Sequence, residues 1–118
     1  MILVSTVRVP TTHASRYLQQ LCKHWAHKLD VSFTPEAGHV VFARDARGTD
    51  WPDAARLDLK AAAEALECRL EASHPEQLAG LKDAVARHLD RFAFREAPLS
   101  FAWADAEASA SGPAATAA

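Results

Sequence analysis

The chain has 118 residues, 49% hydrophobic and 24% charged, with 13 Lys and Arg against 15 Asp and Glu. Such a length supports one core rather than two, the apolar fraction excludes a wholly disordered chain, and no stretch approaches the roughly 20 apolar residues of a membrane helix. A formal net charge of -2 gives no overall field to draw nucleic acid or an anionic membrane, so neither is expected as a partner.

The start, Met1 to Val4, lacks a basic region, and Arg8 breaks the apolar run before it could serve an export signal, so a cytoplasmic location is expected. Residues 2–9, ILVSTVRV, are rich in β-branched side chains and read as a first strand, stopped at Pro10. Thr11 or Thr12 can accept a backbone N–H at a helix start. Leu18, Leu21, Trp25 and Leu29 then recur at helical spacing, predicting a first helix over about 12–28. Val31 with Phe33, and Val40 with Phe42, flank a turn at Pro35 to Gly38 and read as a hairpin.

The stretch from Asp45 to Asp53, with Gly48 and Pro52, has loop chemistry, and Trp51 is expected to fold over the sheet edge. Leu57, Leu59 and Ala61 alternate with charged residues, and Leu66, Cys68, Leu70 and Ala72 do so again, predicting a hairpin with one wet face. Ser73-His74-Pro75-Glu76 has the form of a capping box. It precedes a second amphipathic helix over 74–92 with Leu78, Leu81, Val85, Leu89 and Phe92 on its stripe. Leu99, Phe101 and Trp103 alternate in an expected last strand, and residues 104–118 read as a disordered Ala-rich tail.

The pattern therefore predicts an α+β domain over 1–103. It is a two-layer sandwich with a mostly antiparallel sheet, two helices on one face, and the order β-α-β-β-β-β-α-β. Cys22 and Cys68 show no CxxC or zinc-knuckle spacing and read as buried, reduced thiols.

No GxSxG elbow, Gly-rich phosphate loop or paired acids are present, so no catalytic residue and no cofactor is assigned. Six histidines stand out. His24 lies at the border of the first helix's apolar stripe, with Lys28 one turn on and Tyr17 two turns back. His88 borders the second stripe, with Arg91 and Arg95 further along the same side. Helices side by side would bring Tyr17, His24, Lys28, His88, Arg91 and Arg95 along one groove able to hold an anion. With His27, the imidazoles of His24 and His88 are also candidate metal ligands. A separation of His24 and His88 beyond about 10 Å would remove that groove. The structural alternative has His24 and His88 half-buried and satisfied by backbone or by each other, and Lys28 and Arg91 compensating helix C-termini.

Three segments together carry a family resemblance: residues 15–28 (SRYLQQLCKHWAHK), the glycine hairpin with Phe42, and residues 86–96 (ARHLDRFAFRE). The pattern RY-x-x-QL-x-x-H-x-x-x-K falls on Arg16, Tyr17, Gln20, Leu21, His24 and Lys28, and RHL-x-RF on Arg87, His88, Leu89, Arg91 and Phe92. Over about residues 3–103 the chain resembles the small bacterial family known as domain of unknown function 2218. The Ala-rich tail and a longer 45–55 loop depart from the family pattern. The resemblance implies a fold but no activity. Its implied setting, beside or joined to siderophore-interacting flavoproteins and iron-uptake genes, makes an anionic iron chelate and a siderophore-interacting protein the expected partners. The rival expectation is a structural module that forms a homodimer through an open sheet edge or the face under Trp51 and Trp103.

Overall fold

A computed structural model describes residues 2–45 and 50–108. The elements run β1 (Ile2–Pro10), α1 (Ala14–Trp25), β2 (Asp30–Phe33), β3 (Ala37–Phe42), β4 (Ala55–Ala61), β5 (Ala65–Ala72), α2 (Pro75–Phe92) and β6 (Ala104–Ala108). All six strands join one antiparallel sheet in the order β2-β3-β4-β5-β1-β6. The predicted class and element order hold. Positions 46–49 of the expected loop, including Gly48, and residues 109–118 of the expected tail lie outside the described residues.

Period-two patterning places one row of each strand inward, because successive side chains of a strand point to opposite faces. Register aligns Gly38, Leu59, Cys68 and Val7 in one such row, and Val40, Leu57, Leu70 and Ser5 in the next. Onto these rows α1 lays Leu18, Leu21, Cys22 and Trp25, while α2 lays Leu78, Leu81, Val85 and Leu89, all buried. Full burial of one such leucine stabilises the fold by about 1.5–3 kcal/mol. The Trp25 and Phe42 rings meet edge to face at 5.2 Å. Both cysteines are buried and unbridged. Burial alone raises the Cys22 thiol to about 11, and burial reinforced by the Glu67 charge raises Cys68 to about 12, so both stay protonated at neutral pH.

Several local readings need correction. Helix α1 ends at Trp25 rather than near residue 28, because the Trp25 carbonyl accepts from both Lys28 N (3.1 Å) and Leu29 N (2.8 Å), which closes the last turn tightly. Ser73 does not cap α2. Pro75 takes the first helical position, so the cap moves to His74, whose Nδ1 accepts from Glu76 N at 3.1 Å. The Gln77 side chain instead reaches back to accept from Ser73 N at 2.7 Å. The Trp51 ring packs on His74 at 5.3 Å rather than over a sheet edge.

The last strand is also displaced. Leu99, Phe101 and Trp103 pack against the core as their alternation suggests, yet they pair with no strand. Pairing begins at Ala104, where residues read as tail align with β1 from Thr6 back to Ile2. Alternation of apolar side chains reports packing, whereas strand pairing is made by backbone groups, which Ala and Asp also possess. Ser5, buried in an apolar row, donates to Asp105 Oδ1 at 2.5 Å, and Lys82 Nζ reaches the same oxygen at 2.5 Å.

The ammonium of Lys82, with the Ser5 hydroxyl, holds the Asp105 carboxyl below its ordinary value of 3.8. A carboxylate with a lowered folded pKa contributes stability above the unfolded value and loses it as pH falls through the folded one. The amides of β6 are therefore expected to lose hydrogen-exchange protection as pH drops below about 4 in the wild type. In Asp105→Asn the protection should be lower at neutral pH and no longer change across that window.

Candidate functional site

The two helices lie antiparallel, since His24 near the end of α1 meets His88, while Tyr17 near its start meets Glu96 beyond the end of α2. Their seam holds two groups of side chains. At one end the His24 and His88 ring centroids are 5.0 Å apart, well inside the separation a shared groove requires. Trp25 lies 5.1 Å from His88, and Phe92 lies 5.9 Å from His24. The His88 Nδ1–H donates to the Ala84 carbonyl at 2.6 Å. A carbonyl can only accept, so the proton sits on Nδ1 and the Nε2 atom is left for another partner.

Desolvation in the seam, then the Coulomb effect of His88, Arg91, Lys28 and His27, holds the otherwise exposed His24 below its ordinary value of 6.5. This end of the seam disfavours added positive charge. His27 is exposed, and among the described residues no three His, Cys, Asp or Glu side chains converge as a metal ligand set.

At the other end Tyr17 and Arg95 line a hollow of about 480 Å³ with His13, Arg16, Phe92 and Phe94. Tyr17 lies seven residues before His24, about 10 Å along a helix axis. The six groove residues expected from the sequence are thus two clusters, with Phe92 touching both. The anchor of the second cluster is Glu96. Its carboxylate accepts from the buried Tyr17 hydroxyl and from Thr11 Oγ1 at 3.0 and 3.1 Å, while Thr11 Oγ1 accepts from His13 N at 3.0 Å.

The Tyr17 hydrogen bond holds Glu96 below its ordinary value of 4.5, and burial beside that carboxylate raises Tyr17. Sequence reasoning missed Glu96, Thr11, His13, Arg16 and Phe94 as site residues. The available signal was Glu96 directly following Arg95 within the family-like segment, but nothing local shows that it returns to the start of α1.

Charge balance separates the seam from the open face of the sheet. There Arg8 faces Glu67 at 3.4 Å, His39 and Arg56 share Asp58 at 2.6 and 3.2 Å, and Arg69 pairs with Glu71. Along the seam, Arg16, Lys28, Arg91 and Arg95 pair with no carboxylate among the described residues.

A six-stranded antiparallel sheet carrying two helices on one face, with a cationic seam between them, defines a small α+β domain of sheet-and-two-helix type. Residues 6–104 match DUF2218, described as an uncharacterized protein conserved in bacteria, and the chain belongs to that family. The NMR structure of PA4090 from Pseudomonas aeruginosa is similar at 33% identity with a TM-score of 0.63, over 87% of this chain and 94% of that one. Among curated proteins none is significantly similar. No helix among the described residues is long and apolar enough to cross a membrane.

Proposed function

We propose that this protein is a non-enzymatic binding domain that takes an anionic small molecule where His24, Lys28, His88 and Arg91 meet. The supporting observation is the imidazole pair at 5.0 Å with Lys28 and Arg91 charges acting on it, neither paired with a carboxylate among the described residues. A bare metal cation is the weaker candidate, because the same charges repel it and no third His, Cys, Asp or Glu joins the two imidazoles among the described residues. An anionic iron chelate has the required sign, which accords with the iron-uptake setting implied by the family resemblance.

Binding of an anion favours protonated His24, so affinity is expected to rise as pH falls through the lowered pKa of that residue and to level off below it. Isothermal titration with citrate and ferric citrate tests the reading. Each lost charged contact is expected to weaken binding roughly tenfold or more in Lys28→Gln and Arg91→Gln. An absence of binding at millimolar ligand, or affinities unchanged in a His24→Ala, His88→Ala variant, would contradict it.

A further inference from the structure

The most exposed large apolar side chain among the described residues is Phe94, at 72%. It is held on an ordered turn. Ala93, 1% exposed, donates to the Leu89 carbonyl at 2.8 Å, and Glu96 N and Ala97 N both donate to the Ala93 carbonyl, at 2.7 and 2.9 Å. Two residues on, the Glu96 carboxylate is tied to Thr11 and Tyr17. The turn thus places Phe94 at the lip of the hollow, beside Phe92 and opposite α1.

The polar side of the hollow is cationic. The Arg95 guanidinium lies 5.7 Å from the Phe94 ring centroid, and Arg16 sits on α1 close enough to Tyr17 to oppose the rise in that hydroxyl's pKa. Neither arginine pairs with a carboxylate among the described residues. Glu96 also lines the hollow and stays ionised, but its oxygens are engaged by Thr11 and Tyr17 and the two guanidiniums outnumber it. About 480 Å³ lies within the ordinary range of small-ligand pockets.

We infer that this hollow is a second binding subsite, specific for an aromatic acid, with the ring against Phe92 and Phe94 and the acidic group on Arg16 and Arg95. The ring surfaces supply edge-to-face or offset stacking, and the two planar guanidiniums suit a carboxylate, phosphonate or phosphate. This subsite shares only Phe92 with the His24–His88 end and does not depend on the anion site proposed there.

The test compares phenylphosphonate with methylphosphonate by amide-resolved NMR titration of the full chain. Phenylphosphonate is expected to bind roughly three- to tenfold more tightly, with the largest shifts at Arg16, Phe94 and Arg95. Phe94→Ala, an exposed position whose loss leaves the core intact, should abolish that preference while keeping methylphosphonate binding. Arg95→Gln should weaken both ligands. Equal affinity for the two phosphonates, shifts confined to His24 and His88, or no binding of either at millimolar concentration would each overturn the subsite. Shifts confined to the two histidines would do so while supporting the anion site proposed at that end.

Discussion

Replacing Glu96 by alanine is expected to cost about 2–6 kcal/mol of folding stability, because two buried hydroxyls left without an acceptor lose about 1–3 kcal/mol each. The Tyr17 and Thr11 side chains are 4% and 6% exposed, and Glu96 accepts from both. Through Thr11, whose oxygen also receives His13 N, the same carboxylate braces the start of α1, where its negative charge suits the helix dipole. The pH dependence follows from the lowered Glu96 pKa: its contribution is complete above the ordinary value of 4.5 and is lost as pH falls through the lower folded value. Urea unfolding at pH 7 and at pH 3.5 checks both statements. Glu96→Gln keeps one acceptor oxygen, so it should fall between wild type and Glu96→Ala at pH 7 and show a smaller loss on acidification. Equal stability of Glu96→Ala and wild type at pH 7 would mean that the Tyr17 and Thr11 hydroxyls find other acceptors.

Gly38→Ala is expected to cost about 1–3 kcal/mol, the usual range for overpacking a filled core. A Cβ at Gly38 would stand 2.7 Å from Cys22 Sγ and 3.4 Å from Leu18 and Phe33. Cys22 is fully buried, so its sulfur has no open space to move into. The glycine is what lets α1 approach β3 closely enough to fill the row shared with Leu59 and Cys68. Cys22→Ala removes the clashing atom, and the double variant Gly38→Ala, Cys22→Ala should be more stable than the sum of the two single losses. Additive losses in thermal or urea unfolding would place the origin of the cost elsewhere.

Elements whose side chains alternate or recur in a strong pattern were legible before any coordinates. The β5 run of Leu66, Cys68, Leu70 and Ala72 forms the central strand partner of both β4 and β1, and the leucine stripes of both helices face the sheet. Features made by backbone groups were not. Strand β6, ADAEA, has no apolar signature, and from sequence alone the acids Asp105 and Glu107 that account for the net charge of -2 read as part of a tail. Asp105 instead satisfies buried Ser5 and pairs with Lys82. The shift of the α2 cap from Ser73 to His74 likewise turned on the fixed φ of Pro75.

The site was legible to a similar depth. Border positions on two amphipathic helices indicated that His24 and His88 could meet, and antiparallel packing brings them together. The same reasoning merged Tyr17 and Arg95 with them because it lacked the distance along the axis. Glu96 closes a contact across 79 positions with Tyr17, and no local pattern carries such a contact.

The most direct measurement of the central claim is the pKa of His24, followed by NMR of its imidazole as pH is varied with and without citrate. In ligand-free protein it should lie below 6.5, held down by desolvation in the seam and by the Coulomb effect of His88, Arg91, Lys28 and His27. With saturating citrate it should rise, because a bound anion stabilises the imidazolium, and Arg91→Gln alone should raise it in the free protein. A His24 pKa that stays unchanged as citrate is added, together with an unshifted His88, would contradict an anion site in the seam.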